Sequence, residues 1–147
     1  VTADKAAELS AHSVEAGDIL VTKMGDPPGD VCRYPASRPA AVITADCIKL
    51  RVTKLGIDPS FIEYAMASRV VQDHIPGITK GVAQLKVNLA NFSSIALPVP
   101  PYAEQARIVA EVDRHLSIIR EVEAEVDANL QRSKALRQSI LHTSFVA

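Results

Sequence analysis

The chain has 147 residues, 48% of them apolar and 22% charged, with a net charge of -1. That length suits one domain, or a domain with an appendage, and leaves no room for a multidomain enzyme. No run of about 18 uncharged apolar residues is present to span a bilayer, and the balanced charge excludes a polycationic tail that grips nucleic acid indiscriminately. Two cysteines, Cys32 and Cys47, are too few for a disulfide framework. With no secretory pattern at Val1, they read as reduced thiols of a cytoplasmic protein.

Taken in order, Thr2 can cap a short helix through about Ser10, after which Gly17-Asp18 turns the chain into an apolar strand, Ile19 to Thr22. Met24 to Asp30, rich in Gly and Pro, is a loop. Ala41 to Thr44 and Ile48 to Val52 are short β-favouring stretches bounded by turn residues, which suggests an antiparallel sheet. Asp58-Pro59 opens a helix predicted to run to about His74 and to end at Pro76-Gly77, because Asp caps and Pro is tolerated at the first helical position. A Gly81-centred loop, a strand at Gln84 to Val87, an Asn88-capped turn and a last strand at Ser94 to Leu97 complete this part.

All nine prolines and all six glycines lie at or before Pro101, and residues 102–147 contain neither. That second part reads as one long helix, from about Ala103 to Thr143. Its apolar residues Val109, Val112, Leu116, Ile119, Val126, Leu130 and Ile140 step by three and four, with breaks at Glu123, Ser133 and Arg137. A broad, imperfect seam of this kind suits antiparallel helix pairing better than a parallel zipper. The expected fold class is α+β: a small mixed sheet-and-helix domain over residues 1–101, then one long helix over 102–147 that forms an antiparallel coiled coil.

The chemistry-bearing patterns are mostly near misses. Asp26-Pro27-Pro28-Gly29 has the acid of an amine-methylating Asp-Pro-Pro-aromatic motif without the aromatic; Val99-Pro100-Pro101-Tyr102 has the aromatic without the acceptor. No Gly-rich loop follows a strand to seat a nucleotide-like methyl donor. His12, His74, His115 and His142 are scattered, with no metal-ligand spacing. Nothing points to a self-contained enzyme or a metal site.

Local charge is more informative. Between Val31 and Leu55 the bases Arg33, Arg38, Lys49, Arg51 and Lys54 face a single acid, Asp46, a local charge of +4. Arg33, Arg38, Lys49 and Arg51 are candidates for phosphate positioning, though such a run also suits a solvated sheet face. Lys23, Lys80, Gln84 and Lys86 are candidates for loop contacts that include base edges.

The stretch Leu97-Pro98-Val99-Pro100-Pro101-Tyr102-Ala103-Glu104-Gln105, with Arg107-Ile108-Val109, resembles the junction between target-recognition domain and conserved helix in specificity subunits of type I restriction-modification systems. Gly17-Asp18-Ile19-Leu20 with Gly25 and Gly29, Gly81 to Leu89, and Leu136-Arg137-Gln138-Ser139-Ile140-Leu141 with Phe145 are similar to further parts of that family. The resemblance implies a non-catalytic, DNA-reading subunit, here in the form of a partial recognition domain. Such a subunit reads one half of a split target in double-stranded DNA and docks methyltransferase subunits through the long helix. A motor-nuclease subunit joins indirectly, and a homodimer through the helix is a further expectation. It implies no cofactor on this chain, S-adenosylmethionine being held by the methyltransferase. The competing reading is a stand-alone coiled-coil interaction module without DNA specificity.

Overall fold

The computed structural model describes residues 9–81 and 85–145. The chain divides into two compact units, residues 1–107 and 108–147. Among the described residues of the first, seven short strands form three small antiparallel sheets: β1 (Ser13–Val14), β2 (Ile19–Thr22), β3 (Val31–Arg33), β4 (Ala41–Val42), β5 (Cys47–Leu50), β6 (Thr79–Lys80) and β7 (Lys86–Val87). The helical segments are α1 (Pro59–Ala67), α2 (Arg69–Gln72), α3 (Ile75–Ile78), α4 (Leu89–Ser93) and α5 (Tyr102–Phe145). The fold class is therefore α+β, as expected.

The central sheet has the order β3-β2-β5, with Ile19 opposite Arg33 on one side and Leu50 on the other. Strand β2 alternates as the pleat requires: Ile19 and Val21 are buried, while Leu20 and Thr22 are half-exposed. Val21 and Ile48 meet Met66, Val71, Ile75, Val87 and Phe92 in the core, so sheet and helices share one apolar layer. β1 pairs with β4, and β6 pairs with β7.

Several expectations are corrected. The helix from Asp58-Pro59 starts as predicted, with the Asp58 carboxylate accepting from Ser60 N–H at 2.7 Å, but it breaks at Ser68 instead of running to His74. The Ser68 backbone is extended (φ -76°, ψ 161°), and its hydroxyl bonds back to Ala65 O at 2.7 Å, satisfying a carbonyl that a continuing helix would have used. Pro76-Gly77 does not end a helix but lies within α3, where a proline in the first turn costs no hydrogen bond. Ser94 to Leu97 is not a strand; Ile95 and Leu97 pack against the core from an irregular segment. Strand β3 went unpredicted, because Val31-Cys32-Arg33 is too short and polar to stand out. The short helix expected from Thr2 lies outside the described residues except at its end, where Ser10–His12 form a 3-10 turn. Gln84, the expected start of the seventh strand, also lies outside them.

Pro98 to Pro101 carries no regular structure, and α5 begins at once, at Tyr102. At 1.5 Å per residue its 44 residues make a helix of about 66 Å. Its first turn belongs to the first unit. Glu104–Arg107 and Glu111–Arg114 pairs brace its surface at 2.6 and 2.7 Å, and Arg114, helped by His115, holds the Glu111 carboxyl down to about 2. Of the seam residues, Val109, Val112 and Leu116 are half-buried in the single chain, whereas Ile119, Val126, Leu130 and Ile140 are exposed.

Candidate nucleic-acid interface

The predicted cations separate into two groups once the fold is known. Three of the four assigned to phosphate positioning are engaged within the domain. Arg51 holds Asp18 through two hydrogen bonds, Nε to Oδ1 at 2.7 Å and Nη2 to Oδ2 at 2.6 Å, with Glu15 at 3.6 Å. Asp18 is only 3% exposed, and the Arg51 guanidinium holds its carboxyl below the usual carboxylate range. Lys49 Nζ donates to Ser13 O at 2.6 Å and to Ala11 O at 3.1 Å, tying β1 and the segment before it to β5. Arg33 Nη2 stands 2.9 Å from Glu63 Oε2, which links β3 to α1. Arg38 is different. It is exposed in a loop closed by the Tyr34 hydroxyl, which donates to Pro39 O at 2.7 Å.

Lys23, Lys80 and Lys86 form the second group, and the fold brings them together. Lys80 and Lys86 face each other across the β6–β7 pair, and Lys86 also bridges to Met24. All three lysines line a hollow of about 500 Å³, with Gly81, Asn88 and Leu89 beside them and no acid among its described lining residues. Among the described residues no carboxylate lies in ion-pair range of any of the three. Gln84, predicted with them, is outside the described residues. Asn88 went unpredicted as part of this surface; its side chain caps α4 by accepting from Ala90 N–H at 2.8 Å, which is the only role its sequence position signalled.

The loop leaving β2 at Lys23 is fastened at its far end. Thr22 Oγ1 accepts from Gly29 N–H at 3.0 Å and Asp30 N–H at 2.9 Å, while Gln72 Nε2 donates to Gly29 O at 2.9 Å. Gly29 has φ +113°, and a Cβ there would lie 3.1 Å from Gln72 Oε1 and 3.3 Å from Ile75 Cγ1. Neither the sequence pattern nor the resemblance singled out Gln72 or Thr22.

A second hollow of about 450 Å³ between β5, α1 and α4 is lined largely by Leu50, Ile62, Met66, Phe92, Ile95 and Leu97, and is continuous with the core. Burial, followed by the charge of Asp46, raises the Cys47 thiol above its ordinary value and keeps it protonated near neutrality. Among the described residues no group of three or more His, Cys, Asp and Glu could hold a metal ion, and no helix is long and apolar enough to cross a membrane.

A small α+β unit that gathers three lysines at one hollow and runs into a long helix has the charge placement of a domain suited to meeting nucleic acid. The chain belongs to the family of type I restriction modification DNA specificity domains, which it matches over residues 8–132. It is similar to the EcoBI specificity subunit of Escherichia coli, 32% identical over 89 residues, covering 60% of this chain and 19% of that protein. It is also 30% identical over 134 residues to the EcoDI specificity subunit of Escherichia coli, covering 91% of this chain and 29% of that protein. Similarity to the StySPI specificity subunit of Salmonella potsdam is 25% over 142 residues, covering 94% and 31%. The chain thus spans less than a third of the length of these relatives.

Proposed function

We propose that this chain reads one half of a split double-stranded DNA target for a type I restriction-modification complex. In this reading it has no catalytic activity and no cofactor of its own; S-adenosylmethionine is held by methyltransferase subunits that dock along α5, and the motor-nuclease subunit is reached through them in the cytoplasm. The observation that carries the reading is the conjunction of the family match over residues 8–132 with an acid-free hollow lined by three lysines. Arg38 and Gln84 remain candidates for further DNA contacts. Arg33, Lys49 and Arg51, each engaged inside the domain, are better suited to holding the scaffold than to meeting phosphates, although Arg51 keeps a side chain 40% exposed.

The exposed stripe Ile119, Val122, Val126 and Leu130 supports helix pairing, either with a second copy or within a larger subunit. The same stripe would serve a stand-alone interaction module. Duplex binding separates the two readings. The chain should bind double-stranded DNA weakly, in the non-specific range of roughly 10⁻⁴ to 10⁻⁶ M at physiological salt, and should methylate nothing when supplied with S-adenosylmethionine alone. Methyl transfer by the purified chain would overturn the assignment as a reader. Helix pairing without any DNA affinity would favour the interaction module.

A further inference from the structure

Lys86 is the centre of a ribbon of three backbone segments. It faces Lys80 on one side and Met24 on the other, Val87 N–H donates to Lys23 O at 2.9 Å, and Gly25 N–H donates to Leu85 O at 3.4 Å. Backbone pairing therefore brings Lys23 to the same hollow as Lys80 and Lys86, which lie much later in the chain. Like charges directly opposed across a strand pair are destabilising. The chain nonetheless keeps them together, with no carboxylate in ion-pair range among the described residues. Three uncompensated cations at one concavity are a place for an anion.

Base edges are neutral, so a cluster of charge gains little from them beyond individual hydrogen bonds. Backbone phosphates carry the charge, and displacing their counterions is what makes such a cluster favourable. An ammonium is also a compact point charge without the planar fork of arginine, which suits it to a phosphate oxygen without imposing a reading direction. Resting on the DNA-reading assignment above, we infer that Lys23, Lys80 and Lys86 form a phosphate clamp that sets the position of the duplex backbone and does not discriminate bases. This revises their role from base-edge contact to positioning.

The clamp is tested with the full chain and a short labelled duplex of arbitrary sequence, by anisotropy between 50 and 200 mM salt. Replacing all three lysines by alanine should flatten the dependence of log affinity on log salt by about 0.9 per lysine. Over that fourfold range of salt, the unmodified chain should then lose about 40-fold more affinity than the variant. The triple Lys→Arg variant should keep the slope, and the alanine variant should melt no lower than the unmodified chain, since its alanines remove repulsion. Assembled with methyltransferase subunits, the Lys80→Ala, Lys86→Ala complex should modify the same set of sites more slowly. An unchanged slope in the alanine variant, or a changed set of modified sites with the slope retained, overturns the clamp while leaving the reader assignment standing. Duplex binding by the unmodified chain that does not respond to salt overturns both.

Discussion

Gln105, on the first turn of α5, accepts a hydrogen bond from the Asp58 backbone N–H at 2.8 Å while its amide nitrogen donates to Gly56 O at 3.1 Å and Pro100 O at 2.8 Å. The residue is 1% exposed. One acceptor and two donors meet one donor and two acceptors, a match that no other side chain of that length supplies. The Asp58 that is gripped here also caps α1, so the start of one helix is fastened to the start of another.

Replacing Gln105 by alanine leaves the Asp58 N–H and the Gly56 and Pro100 carbonyls without this partner, and should cost about 1–3 kcal/mol of stability. Gln105→Glu should be at least as damaging at pH 7, where a carboxylate faces two carbonyl oxygens, and should recover part of the loss at pH 4, where the acid donates once. Urea unfolding at the two pH values checks both. Equal stability of the Glu variant at pH 7 would contradict the assigned amide orientation.

Asp18 supplies a pH dependence. Its folded value lies below the unfolded one because of Arg51, so the stabilisation is present above the unfolded carboxylate value near 4 and is lost as pH falls through the folded value. The chain should therefore unfold at lower temperature as acid is added below about pH 4. Asp18→Asn should lower the melting temperature at pH 7 and make the acid dependence shallower. Two parallel acid profiles would remove the Asp18–Arg51 pair as the cause.

Two glycines with positive φ separate backbone strain from crowding. At Gly17 (φ +91°) nothing lies within 4 Å of an added Cβ, whereas at Gly29 the Gln72 and Ile75 side chains do. Gly17→Ala should cost about 1 kcal/mol from conformation alone, and Gly29→Ala about 2–3 kcal/mol because the neighbours must also move. Chemical denaturation ranks them; the reverse order would show that the loop relaxes freely.

Helix pairing through the stripe predicts concentration-dependent association. Leu130, 48% exposed in the single chain, becomes an unfavourable seam residue when replaced by glutamate. Sedimentation of the unmodified chain should show dimer growing with concentration, and Leu130→Glu should abolish it without lowering the helical content of the monomer. A strict monomer at high concentration would remove the pairing.

The long helix and the central strand were legible in the sequence because each is set by local pattern: no Pro or Gly after Pro101, and a short apolar, β-favouring run at Ile19 to Thr22 after the Gly17-Asp18 turn. The division of the cations was not. Arg51 and Asp18 are 33 residues apart, and Lys49 reaches Ser13 across 36. Only tertiary contact shows that these bases are engaged, and a sequence reading sees them as equivalent to Lys80 and Lys86. The break at Ser68 was hidden for a different reason, since one hydroxyl decides whether a helix continues. Gln105 lies within the junction motif, but its role depends on Gly56 and Asp58, which are far away in the chain.

The fastening of the loop after β2 separates what must stay from what can change. Thr22 and Gln72 hold it through the backbone N–H and carbonyl of Gly29 and the N–H of Asp30, and touch no side chain of the loop in doing so. Asp26 and Pro27 are exposed between these anchors. Side chains at an exposed tip can therefore be exchanged without loosening the frame that holds it, so a lineage can acquire a new surface chemistry here while retaining the old architecture, provided that Thr22, Gly29 and Gln72 persist together.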